Sequence, residues 1–222
     1  MMKKNTTQIF ASILLGVTII SIALVIYFSS AKFVDVPEII LPSENLTEQQ
    51  RIEFTNNKII EAIVIDEHNY KNIIEKLNRP TNYTMSVFNE IYAFDAFRSE
   101  VTEVSVNNST TVATRDSTEY TVTENEILVK KNNQTIEFDK LDFTSDQIIG
   151  IPSYEDLINL HTEVTVSDDF FNEEQAITIT FSLEETTEIY TVSLVTGILM
   201  KYDILQDGNT VRSVSIKNLE IY

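Results

Sequence analysis

The chain has 222 residues, 34 acids against 16 bases, a formal net charge of −18, 43% hydrophobic residues and no cysteine. That hydrophobic content is enough for a globular core, while the acidic balance argues against a nucleic-acid-binding surface. Without thiols there are no disulfides, thiolate metal sites, cysteine nucleophile or lipidated N-terminal cysteine.

The charge is unevenly spread. Residues 1–32 hold Lys3, Lys4 and Lys32 and no acid, so residues 33–222 carry a formal −21. Ile9 to Phe28 is a run of twenty residues without a charge, which as a helix spans a hydrocarbon core of about 30 Å. It exceeds the usual secretory apolar region, so it reads as an uncleaved transmembrane helix; a signal peptide cut after Ala31 is the alternative. Lys3 and Lys4 place residues 1–8 in the cytoplasm and the acidic body outside the cell membrane. Residues 29–50, with Pro37 and Pro42, read as a stalk.

Residues 51–222 read as one extracytoplasmic β-rich domain. Ile52, Ile59, Ile60, Ile63 and Val64, then Tyr70, Ile73, Ile74 and Leu77, recur at helical spacing and predict one or two amphipathic helices ending at Asn78, before Arg79-Pro80. A strand is the alternative over residues 59–65. From Tyr83 the period becomes two: Tyr83, Met85, Val87, Ile91 and Ala93 alternate with Thr84, Ser86, Glu90 and Tyr92. Shorter runs follow at 101–106, 111–114, 120–123, 127–130 and 135–138, with turn signals at Asn107-Asn108, Asn125 and Asn132-Asn133. Consecutive strands so closely joined pair antiparallel.

Pro152 and SYEDLINL predict a short helix. Strands resume at Ile177–Leu183, Tyr190–Leu194 and Ile198–Ile204, turning at 185–187, and the last runs from Val211 to Ile221 after Asp207-Gly208, a strong hairpin signal. The fold class expected is α+β: a curved antiparallel sheet, an incomplete barrel, with short covering helices.

LNRPTNY (Leu77–Tyr83), the long strands, the mid-chain helix and the hairpin YTVSLVTGILMKY (Tyr190–Tyr202) closing on Asp207-Gly208 resemble the LolA/RseB-like group of extracytoplasmic lipoprotein-carrier and sigma-regulator domains. The resemblance covers residues 57–221. It implies an open, curved barrel whose concave apolar face, partly covered by helices, binds acyl chains or senses partner proteins. Composition rich in Ile, Asn, Thr and Lys suggests an AT-rich Gram-positive source, and an anchored relative there implies a sensor, regulator or lipid-associated protein rather than a carrier between two membranes.

Little in the sequence looks catalytic. His68 and His161 stand in no metal motif and read as surface or loop residues; no phosphate loop, nucleophile elbow or dinucleotide fingerprint occurs. Asp168, Asp169, Glu173 and Glu174, and Asp139, Asp142 and Asp146, form acidic clusters without an EF-hand pattern. They read as solvated loops, with calcium the alternative. No catalytic residue, metal ligand or cofactor is therefore assigned. Tyr83, Met85, Phe88, Tyr92, Phe94 and Phe97 are the candidate apolar groove or partner face, against core packing and cross-strand pairing. The expectation is a non-enzymatic membrane-anchored domain binding a lipid or lipopeptide, or a membrane-protein partner, on its concave face. A structural scaffold without a small ligand is the alternative.

Overall fold

The computed structural model describes residues 46–61, 64–93, 96–139, 148–153, 157 and 164–222. The expected transmembrane run, most of the stalk, Phe94, Asp142, Asp146, His161 and most of the predicted mid-chain helix lie outside them. The chain divides into two units, Met1–Asp35 and Val36–Tyr222, and every described residue belongs to the second. No helix among the described residues is long and apolar enough to cross a membrane.

Two helices precede the sheet. α1 spans Glu48–Glu61, starting three residues before the change of pattern at Arg51. A capping box sets that start: Gln50 N donates to Thr47 Oγ1 at 3.2 Å and Thr47 N to Gln50 Oε1 at 3.0 Å. Ile52, Asn56 and Ile59 form its buried face. α2 spans Tyr70–Lys76. A reciprocal turn precedes it, in which Asn69 N donates to Asp66 Oδ1 and Asp66 N to Asn69 Oδ1. His68 is exposed in that turn and donates its backbone N–H to Asp66 Oδ1.

Eleven strands follow: β1 Asn82–Ala93, β2 Ala96–Asn107, β3 Thr110–Arg115, β4 Thr118–Val122, β5 Glu126–Lys131, β6 Gln134–Asp139, β7 Val164–Phe171, β8 Glu174–Leu183, β9 Thr186–Ser193, β10 Leu199–Gln206 and β11 Asn209–Ile221. They form one open, curved antiparallel sheet in the order β6-β5-β4-β3-β2-β1-β11-β10-β9-β8-β7. Two meanders, β1–β6 and β7–β11, are thus joined where the first strand pairs with the last.

One acidic cluster departs from its sequence reading. Asp168 and Asp169 lie within β7, paired with Ile177 and Ala176, and Glu174 opens β8, so only Glu173 stands in a turn. The run Val164, Val166, Asp168 is a period-two pattern whose third inward position is a carboxylate, which hid the strand. Among the described residues no group of three His, Cys, Asp or Glu could hold a metal ion.

One face of the sheet carries the core. Met85, Val87, Val104, Ala113, Ile177, Ile179, Val192, Val214 and Ile216 are buried there with Tyr70, Ile73, Ile74 and Leu77. Asn56 ties α1 to this body, its side-chain amide donating to Asn78 O and Val195 O, each at 2.9 Å, and accepting from Asn78 N at 2.8 Å. Two of the sequence motifs behind the family resemblance meet at the same place. Arg79 Nε donates to Gly197 O at 3.1 Å, and a Cβ on Gly197, whose φ is +68°, would stand 3.1 Å from Asn78 O and 3.2 Å from Leu77 Cβ. Leu77-Asn78-Arg79 and Thr196-Gly197 are the two halves of one structural latch.

Candidate functional site: a groove at the hairpin tips

The β1–β2 and β10–β11 hairpins lie side by side because β1 pairs with β11. Their tips form the rim of a groove of about 970 Å³. On β1, Ile91 faces Arg98 of β2 and Arg212 of β11, Tyr92 faces Phe97, and Ala93 faces Ala96. The second tip turns tightly at Asp207-Gly208, both with positive φ (51° and 76°), so Gln206, Asn209, Thr210 and Val211 reach the groove from the other side. This is the type I′ geometry that Asp-Gly adopts without strain at glycine.

The groove is open and its wall is apolar. Phe97 is 61% exposed, and Ile91 and Tyr92 are each 39% exposed. The Tyr92 and Phe97 rings lie 5.3 Å apart at 46°, a tilted aromatic pair. Tyr92 keeps its hydroxyl in water, donating to Glu90 at 2.8 Å, and that bond raises its pKa. Arg98 is paired with Glu100, which also lies 3.8 Å from Arg115. Exposed apolar surface rimmed by polar groups in this way marks a binding surface more often than a lone exposed side chain does.

Five of the six predicted site residues are described. Tyr92 and Phe97 meet in the groove. Met85 is buried in the core, and Tyr83 is half-buried against it. Phe88 points to the opposite face from Met85 and lies under Lys217, whose Nζ is 4.5 Å from its ring centroid. Ile73 and Ile74 of α2 and Val87 of β1 are fully buried on the face that carries the core.

Two other clefts are more polar. One of about 560 Å³ lies between α1 and β7–β8, bounded by Glu61, Asp168, Asp169 and Phe170. The other, about 400 Å³, lies between Gly150–Pro152 and the side chains of Glu188, Tyr190, Tyr202 and Arg212. Both phenols donate to Glu188 Oε2, that of Tyr202 at 3.2 Å. Burial, reinforced by the carboxylate, pushes Tyr202 up to about 12 and raises Tyr190 further. Arg212 donates to Asn89 Oδ1 at 3.1 Å and to Gly150 O at 2.8 Å, and Arg115 donates to Ile148 O at 2.9 Å. These polar groups mainly hold the 148–153 segment against the sheet. Nothing in the sequence marks this cluster, because each residue looks like an ordinary strand position.

No family model and no curated protein matches the chain. Among solved structures it is similar to MucB in complex with MucA(peri) at 9% identity and a TM-score of 0.37, covering 64% of this chain and 50% of MucB. It is similar to a LolA superfamily protein from Nitrosomonas europaea at 7% identity and 0.35, covering 72% and 94%. A third, LprF from Mycobacterium bovis, stands at 11% identity and 0.35, covering 78% and 92%. One of these three is a LolA superfamily protein, and all three likenesses are distant.

Proposed function

We propose that this chain is a single-pass membrane protein whose extracytoplasmic domain binds an apolar ligand, the acyl chain of a lipid or lipopeptide, without catalysing a reaction. The observation that carries this reading is the solvent-exposed Tyr92–Phe97 pair in a groove of about 970 Å³, a size within the range of ligand sites. Ile9–Phe28 supplies the membrane attachment and Lys3 and Lys4 the orientation. Apolar burial supplies affinity, and the acidic exterior keeps the domain off anionic surfaces.

Photolabelling the full-length protein with a diazirine analogue of palmitate tests this. Adducts are expected on the peptides containing Tyr92 and Phe97, and Phe97→Ser should cut labelling by about tenfold, since burying an aromatic ring is worth roughly 1.5–3 kcal/mol. Labelling spread evenly over the domain, or unchanged by Phe97→Ser, would overturn it. The second reading, an envelope scaffold without a small ligand, draws on the full burial of Ile73, Ile74 and Val87 between α2 and the sheet; it predicts that even labelling.

A further inference from the structure

Among the described residues the sheet ends in a free edge at β6, away from the groove. Among these described residues β6 is the last strand on its side and pairs only with β5, and all six of its residues are exposed. Its hairpin turns at Asn132-Asn133, both with positive φ (51° and 62°), and Lys131 faces Gln134. A two-residue turn of this kind makes Lys131 and Gln134 a hydrogen-bonded pair, which fixes the phase of the ladder. Gln134, Ile136 and Phe138 bond inward to β5. The N–H and C=O groups of Thr135, Glu137 and Asp139 therefore point outward.

The two faces of this edge differ in chemistry. Ile136 and Phe138 lie opposite Val129 and the buried Ile127, on the face that carries the core, yet they are 56% and 51% exposed. The core row thus runs off the end of the sheet. Glu137 and Asp139 stand on the other face, and Asp139 is paired with Glu126. Edge strands usually carry a proline, an inward charge or a bulge that discourages pairing. β7, the opposite edge, has the inward charge in Asp168, whereas the sequence QTIEFD has no such device on its apolar face.

We propose that β6 is a docking edge for an extended strand of another protein, apolar along one face and basic along the other. Main-chain bonds to Thr135, Glu137 and Asp139 would add the strand to the sheet, the usual mode of strand addition. Its apolar side chains cover Ile136 and Phe138, and its lysines or arginines meet Glu137, Asp139 and Glu126. Charge selects this partner over a second copy of the chain, which would bring the same carboxylates and another formal −21 from residues 33–222.

The test uses the full-length protein in zwitterionic nanodiscs, with empty nanodiscs as the blank, and two short fluorescent peptides, one alternating Val and Lys and one alternating Val and Glu. The Lys peptide is expected to bind at least about tenfold more tightly than the Glu peptide, and to weaken as salt rises from about 50 to about 500 mM. Thr135→Pro removes an outward N–H while leaving the β5 ladder intact, and should reduce binding about tenfold or more; Ile136→Lys should do the same through the apolar face. Should either variant unfold, methylating the Lys peptide's nitrogens that face β6 makes the same cut on the unaltered protein, and binding must be lost. Equal binding of the two peptides, or binding indifferent to methylation, overturns the proposal. Self-association that Thr135→Pro abolishes would overturn it in favour of a second copy.

Discussion

Tyr70 and Asn56 are both buried polar side chains, and they behave in opposite ways. Asn56 has its donors and acceptor matched to three backbone groups, whereas the Tyr70 hydroxyl is buried with no hydrogen-bond partner among the described residues. Leaving a buried hydroxyl unpaired costs about 1–3 kcal/mol. Tyr70→Phe should therefore raise stability by about 1 kcal/mol, measured by urea denaturation; a loss would show that the hydroxyl is satisfied. Asn56→Ala should remove about 3 kcal/mol, because it strands one N–H and two carbonyls at once. Neither role can be read from sequence, since Asn56 occupies a helical position indistinguishable by type from its neighbour Asn57.

At the scale of elements, turns were the most legible feature where glycine or asparagine made them. Asn132-Asn133 and Asp207-Gly208 are the two-residue turns their residue types imply. Asp116-Ser117 adopts the same positive φ without glycine or asparagine, and Asn172-Glu173 sits within an acidic run that reads as a loop, so the β3–β4 and β7–β8 hairpins are harder to see. Gly197 serves a different need, combining positive φ with backbone contact against Asn78. Gly197→Ala should cost about 2–3 kcal/mol, from αL strain and the displacement of Leu77 and Arg79. A denaturation midpoint within error of wild type would mean the latch yields without cost. The two helices before the sheet are legible in kind, but the start of α1 depends on Thr47 and Gln50, which look like the end of a stalk.

For the whole molecule, period-two patterning revealed the antiparallel class, while the adjacency of β1 and β11 was hidden because nothing local encodes it. The groove was half-visible for the same reason. Tyr92 and Phe97 face each other across one hairpin, but the wall from Gln206 to Val211 comes from the far end of the chain. The same long-range assembly buries Tyr190 and Tyr202 around Glu188, and their raised pKa values give the domain an alkaline limit. A phenol whose folded pKa lies above its unfolded value of about 10 adds stability that is complete below pH 10 and lost as pH rises through the folded value, about 12 for Tyr202. Urea midpoints should hold from pH 8 to about 10 and then fall, and Tyr190→Phe with Tyr202→Phe should flatten that fall. At the acid end the sign reverses. The Thr81 backbone N–H, donating to Glu48 at 2.9 Å, lowers the carboxyl's pKa, so its contribution is present above the unfolded value and fades as pH drops through the lower folded one.

The seam between β1 and β11 also sets the order in which the chain can fold. Within each meander every strand pairs with a neighbour in sequence, so the hairpins need only short loop closures. The Tyr222 hydroxyl and Thr84 Oγ1, 2.8 Å apart across the seam, are separated by 138 residues. Contacts of that span are slow to form. The two meanders can zip independently and early, and the rate of reaching the native state is then the rate at which the final strand finds the first.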